Sequence, residues 1–386
     1  NTQIIAALIT FVAGMMNMGL FLVMGAKLLL YLVGFAPDQL PYIMVGLLLL
    51  VLLYTVVGGM VSVVLTDYIQ FIILFTSVVL TTYFAIDRVG YGPIVTNVQA
   101  QYGEGGFNPL ANPDMGWSFV IWLSIAALFS GMWPPALSRA LSTTDSETTR
   151  KMYGFIGLSF LGRALLPMMW GIAAFAYFQL DPSIPFPTED GEPDTAAAMP
   201  AYLSHILPAG VRGLIAAAAL AAMMSTFDSY LLCWSSILVN DIVAPVRPRL
   251  DDAGKIKLTR IAIVVCGVFV LLWGYIYDPP ETIFRFMAIT GTMYSASVLL
   301  TTAMGLYWKK ANTAGTLASL VVAGILPLFA IFVKDAASLP AYLQWLASDK
   351  EVAIATFVLS LTAIVAVSLL TQKLSPPKAL VFPKED

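Results

Sequence analysis

Apolar runs of about 20 residues recur from one end of this chain to the other, each long enough to cross the hydrocarbon core of a bilayer as a helix. Nothing else in the sequence constrains the fold as hard. Inside hydrocarbon every backbone N–H and C=O must be satisfied within the protein, so only helices and closed barrels span it. The runs are continuously apolar, without polar/apolar alternation, so helices are expected rather than barrel strands. Of the residues, 59% are hydrophobic and 11% charged, about half the charge of a soluble domain. The expected fold class is all-α, a polytopic membrane protein in one transmembrane domain. About ten spans are predicted, at approximately 4–33, 41–57, 60–86, 117–141, 152–179, 209–240, 258–277, 282–308, 312–333 and 351–371. No stretch reads as a cleaved signal peptide. The first span follows Asn1 almost at once, which points to a chain that starts inside a longer protein.

Loop charges orient the spans. Arg150 and Lys151, then Arg247, Arg249, Lys255, Lys257 and Arg260, then Lys309 and Lys310, and finally Lys373, Lys378 and Lys384 fall on one side if the spans alternate. The other side receives "DPSIPFPTEDGEPD", which has no Lys or Arg, and the long loop from Asp87 to Asp114. The positive-inside rule makes the basic side cytoplasmic, and the C-terminus with it. The expectation is a multi-pass protein of the plasma membrane. The outer loops at 87–116 and 180–208 are rich in Pro, Gly and acids, and read either as ordered caps or as plain surface loops.

A charge at the bilayer centre costs about 2.5–3.5 kcal/mol on insertion scales, so each one needs a reason. In "GLIAAAALAAMMSTFDSYLLCWSSILVNDI", Asp228 lies roughly 20 Å from either helix end. Ala222, Ser225, Thr226 and Ser229 share one stripe, with Asp228 on its flank. Hydroxyls and carboxylates are hard ligands that suit a cation such as Na⁺; small and hydroxyl residues also suit helix packing. Asp67, in "YTVVGGMVSVVLTDYIQF", sits roughly 12 Å inside its span, after a tight turn or close crossing at Gly58 and Gly59. Arg163, followed by Pro167, is read as a buried guanidinium that needs an anionic partner, a carboxylate of the protein or of a substrate. Lys27, Arg212 and Arg285 lie nearer helix ends, where snorkelling accounts for them. Gly131, Pro134 and Pro135 interrupt the fourth span near mid-membrane, either as a kink or as a discontinuous helix of the kind that binds substrates. Cys233 and Cys266 read as small buried hydrophobes, and His205 stands alone. With no nucleophile–base pair, metal cluster or cofactor loop, an enzyme is not expected, nor is any resident cofactor.

At these residues the chain resembles the sodium:solute symporter family. The likeness is carried by "YTVVGGMVSVVLTDYIQF", "AALAAMMSTFDSYLLCWSSILVNDI" and "MAITGTMYSASVLLTTAMGLYWKKANTAGTLASLV", with "SRALSTTDSETTRK" between them. It implies a LeuT-type core of two inverted five-helix repeats. Residues 1–86 would end the first repeat, 117–308 would form the second, 312–371 flanking helices and 372–386 a cytoplasmic tail. It further implies that two core helices and a leading flanking helix precede the first span. The main sodium site of the family corresponds to Ala222, Ser225 and Thr226. A second site corresponds to Asp67, Ser225, Asp228 and Ser229, where Asp228 stands in place of the usual hydroxyl. Sugar transporters carry an Asn-Gln pair where this chain reads Trp133-Pro134-Pro135, a polar residue near Met287, and a lysine at Arg163. Those departures make Trp133, Arg163 and Met287 the candidate substrate residues and favour an anionic or zwitterionic solute over a sugar.

The function so implied is sodium-coupled symport of a small, carboxylate-bearing solute by alternating access, with Na⁺ as the coupling ion. Two alternatives remain: proton coupling through Asp228 and Asp67, and a symporter-like sensory domain of a signalling protein. The expected partners are the solute, Na⁺ and membrane lipid, without nucleic acid, in a monomer or weak oligomer.

Overall fold

The structure is a computed structural model that describes residues 2–113, 115–130, 133–189, 191–276, 283–331, 333 and 339–378. The chain is built almost wholly of helices. They are α1 (Thr2–Val33), α2 (Leu40–Val89), α3 (Tyr91–Tyr102), α4 (Gly116–Ser130), α5 (Pro134–Ala140) and α6 (Ser146–Leu180). α7 (Thr195–Ile206), α8 (Ala209–Ser236), α9 (Asp252–Ile276), α10 (Ile283–Tyr307), α11 (Thr313–Ile331) and α12 (Asp349–Leu370) follow. Among the described residues, 7 helices are long and apolar enough to cross a membrane. The predicted spans fall on α1, α2, α4 to α6 and α8 to α12, with two local differences.

The first is α2, which holds the predicted spans 41–57 and 60–86 in one run. A straight helix of 50 residues would be about 75 Å long, far beyond a hydrocarbon core of about 30 Å. The run breaks at Gly59, whose φ of 59° and ψ of −156° are non-helical. That conformation is open essentially to glycine alone. The two arms fold back there. In a straight helix Tyr54 and Asp67 would lie about 20 Å apart, yet Tyr54 meets Asp228 of α8 and Asp67 reaches the adjoining Ser229 through Arg139 of α5. Farther along the second arm, Ser77 Oγ lies 3.2 Å from the carbonyl of Leu214, near the opposite end of α8. The predicted turn at Gly58 and Gly59 is thus a helical hairpin.

The second difference is the predicted span 117–141, which is two short helices, α4 and α5, on either side of residues 131–132, which lie outside the described set. Pro134 and Pro135 open α5, where the missing N–H groups of proline cost nothing. Caps mark other starts. Asp145 accepts from the backbone N–H of Thr148 and begins α6. Asp194 does the same for α7 and Ser348 for α12. The outer loops are folded: α3 follows α2, and a two-stranded hairpin, Thr188–Glu189 against Glu192–Pro193, leads into α7. Tyr202 of α7 is buried and donates to the Ala85 carbonyl, tying this cap to α2.

α1 is the axle of the bundle. Residues Ala13 to Leu20 are all buried, and α1 packs on α8, α9 and α10. Small residues let it approach closely. A Cβ on Gly14 would overlap the Trp234 indole, and one on Gly25 would overlap Met223. α2 packs most extensively on α8, so α8 is clasped between α1 and the α2 hairpin. Cys233 and Cys266 are buried and free.

Candidate functional site

The polar patch of α8 faces the α2 hairpin and α5, and its groups divide into two sets. Ser225 and Thr226 each donate to the Ala222 carbonyl, at 3.0 and 2.8 Å. A hydroxyl has one proton and two lone pairs. Both oxygens therefore keep acceptor capacity after bonding back to their own helix, and the pair suits a hard cation. The Ala222 carbonyl is the weaker member of the predicted main set, because two hydroxyls already share it.

The second set is built across elements. Asp228 is fully buried. The Tyr54 hydroxyl, from the first arm of α2, donates to Asp228 Oδ2 at 2.6 Å and lies 3.2 Å from the Met224 carbonyl. Ser229 Oγ lies 3.0 Å from Asp228 Oδ1 and 2.7 Å from the Ser225 carbonyl, so its single proton serves one or the other. Asp67, from the second arm, meets Arg139 of α5: Nη2 is 2.7 Å from Oδ2. The same nitrogen donates to Ser229 Oγ at 2.5 Å. The Asp67 contact is close in distance but off-axis in direction, since neither Asp67 oxygen accepts a hydrogen bond of good geometry. We therefore treat it as an ion pair, in which charge matters more than angle. Of the predicted second set, Asp67 and Ser229 meet one guanidinium nitrogen, while Asp228 and the Ser225 carbonyl adjoin Ser229.

Beside these groups stands an aromatic cluster. Trp133, at the start of α5, packs edge-on to Tyr230 and Trp234 of α8, with centroids 5.5 and 5.6 Å away. Phe21 of α1 meets Tyr230 at 6.1 Å. Trp133 is thus a wall residue next to the polar patch, one turn beyond Ser229.

Three sequence expectations need correction or limits. Arg163 is not a buried charge: it lies exposed on α6, with its guanidinium 4.7 Å over the ring of Phe160 on its own helix. Among the described residues it pairs with no carboxylate of the protein. Lys27 does more than snorkel; its ammonium lies 3.6 Å from the Asp194 carboxylate at the start of α7. The side chains of Met287 and Arg285 lie outside the described residues, although both positions belong to α10.

Tyr54, Arg139, Tyr230 and Trp234 were not singled out from the sequence. Tyr54 is one of two tyrosines, with Tyr42, in the apolar run before Gly58, and Arg139 lies in the second part of the broken span. Either could have been flagged as a polar group in an apolar span. Their partners, 174 and 90 residues away on α8, could not.

The chain is similar to several known transporters. The chain is 28% identical over 344 residues to a sodium/glucose cotransporter of Vibrio parahaemolyticus, covering 82% of this chain and 62% of the relative. It is 28% identical over 313 residues to the sodium/sialic acid symporter SiaT of Proteus mirabilis, covering 76% and 61%. To the osmoregulated proline transporter OpuE of Bacillus subtilis it is 27% identical over 340 residues, covering 85% and 63%. The chain therefore spans about three fifths of the length of these relatives. Its structure superposes on the substrate-bound outward-open state of a Na⁺-coupled sialic acid symporter with a TM-score of 0.69. The alignment covers 97% of this chain and 75% of the other, at 21% identity. That likeness shows the fold, an all-α LeuT-type bundle. A model of the sodium:solute symporter family matches residues 1–323, and the chain belongs to that family of transporters.

Proposed function

We propose that the protein is a secondary transporter that couples Na⁺ to the movement of a small, carboxylate-bearing solute by alternating access. The observation that carries this reading is the hydroxyl pair of Ser225 and Thr226. Both sit near mid-helix on α8, both donate back to the Ala222 carbonyl, and both keep lone pairs for a cation. In this reading Na⁺ bound at that pair, with Ala222 as a weaker contributor, fixes α8 against its neighbours and favours solute binding. Alternating access then carries both to the basic end of the bundle.

The solute class is drawn from the aromatic residues beside the patch and from Arg163 of α6. Trp133 and Tyr230 offer half-buried apolar ring surface. Arg163 offers a planar, bidentate cation whose fork no carboxylate of the protein occupies among the described residues. Together they suit a small apolar or amphipathic body with an anionic head. Among the relatives, pantothenate, sialic acid and proline each bear a carboxylate, while glucose does not. The basic end, with the C-terminus, is assigned to the cytoplasm on loop charge.

Competition against uptake by the full-length protein tests the reading. Unlabelled carboxylates should compete in Na⁺ and have no effect in K⁺, and neutral sugars should compete in neither. Competition by sugars alone would refute the solute class, and equal uptake in both salts would refute the coupling ion.

A further inference from the structure

One nitrogen of Arg139 touches both halves of the second ligand set. Nη2 lies 2.7 Å from Asp67 Oδ2 and 2.5 Å from Ser229 Oγ. Those oxygens come from different helices, the second arm of α2 and α8, and the guanidinium is the positive charge that joins them. A cation bound between Asp67 and Ser229 would need the same carboxylate and the same hydroxyl lone pair. A cation bound between Asp67 Oδ2 and Ser229 Oγ would meet the guanidinium at contact distance, where like charges repel by several kcal/mol at an effective dielectric of about 20. On the Asp228 side, Oδ2 accepts from Tyr54 and Oδ1 faces Ser229. As arranged, the gap between Asp67 Oδ2 and Ser229 Oγ is filled by the guanidinium.

We propose that Arg139 is a tethered cation that occupies the second sodium position, so that Na⁺ binds there only when Arg139 swings away. Arg139 is well placed to do so. α5 is a helix of 7 residues, separated from α4 by a break and opened by two prolines. At its other end Trp133 meets Tyr230 and Trp234, about 9 Å along the same helix. A solute pressed against Trp133 therefore acts on the element that carries the competing charge. Arg139 is a specificity residue in this account: it holds the protein to one sodium ion where its carboxylates alone would accept another.

The inference rests on the sodium-coupled reading, and direct binding separates the two. Equilibrium binding of ²²Na⁺ to the purified full-length protein should give one more ion per protein in Arg139→Gln than in the wild type. That extra ion should be lost in the double variant Asp67→Asn, Arg139→Gln. Equal stoichiometry in the wild type and a folded Arg139→Gln would overturn the proposal. If Arg139→Gln fails to fold, Arg139→Lys provides the reading. Its compact ammonium bridges the two oxygens less well than the fork, so the weaker Na⁺ affinity should rise by at least threefold. An unchanged binding curve would overturn the proposal. Absence of Na⁺ binding in every protein, the wild type included, would instead overturn the symport reading beneath it.

Discussion

Asp228 is a carboxylate sealed inside a membrane bundle, and it is tolerated because both of its oxygens have work. Tyr54 donates to one, and Ser229 faces the other. A hydrogen bond to a charged group is worth about 1.5–3 kcal/mol, and more is lost when the partner stays buried. Tyr54→Phe should therefore destabilise the protein by about that amount, read as a fall in unfolding free energy; an unchanged stability would show that Asp228 does not depend on Tyr54. Ser225 and Thr226 make a different prediction, because their hydroxyls bond only to their own helix. Ser225→Ala and Thr226→Ala should leave the fold intact but raise the Na⁺ concentration for half-maximal uptake. The expected scale is on the order of tenfold each, and no shift would remove them from the ion site. The sequence showed that Ser225, Thr226, Asp228 and Ser229 formed one polar patch, because helical spacing is local information. It did not show that Tyr54 and Arg139 complete the patch, because those contacts depend on how the α2 hairpin and α5 dock against α8. For Arg163 the sequence misled. An arginine in an apolar run implies a buried charge only if that face of the helix is covered, and here the side chain is exposed over Phe160.

At the scale of elements, two short sequences decide how helices end and turn. Gly59 lets the α2 arms fold back, and a Cβ there would meet no neighbouring atom. Any penalty for Gly59→Ala is therefore one of backbone conformation, of order 1–3 kcal/mol. A thermal or denaturant midpoint that does not move would contradict the hairpin. Asp145 caps α6, and its carboxyl is held below the usual carboxylate range, first by the Thr148 backbone N–H and then by the Thr144 and Thr148 hydroxyls. A depressed folded-state pKa means that the cap is fully formed at neutral pH. It is lost only as the pH falls through that lowered value. Asp145→Ala should speed amide hydrogen exchange in the first turn of α6 at neutral pH and leave exchange in α8 unchanged. The broken fourth span and the Gly58–Gly59 turn were both legible in the sequence, since Gly and Pro act locally. That the turn is a reversal was not, because it depends on Tyr54 meeting Asp228 while Asp67 reaches Ser229 through Arg139.

At the scale of the whole molecule, the pieces make one machine. α1 is the buried axle, α8 carries the polar patch, the α2 hairpin supplies Tyr54 and Asp67, and α5 carries Arg139 with Trp133 at its start. The family is established by the match over residues 1–323, while the transport cycle is the reading argued from α8. Helical class and span order followed from composition and hydropathy because the bilayer leaves few options. The central claim is that a sodium gradient drives the solute. The direct measurement is accumulation by the full-length protein in proteoliposomes that start with equal solute on both sides. With Na⁺ outside and K⁺ inside, the solute should concentrate inside and then leak back as the gradient dissipates. With K⁺ on both sides it should only equilibrate. Accumulation that is the same in both conditions would contradict the account.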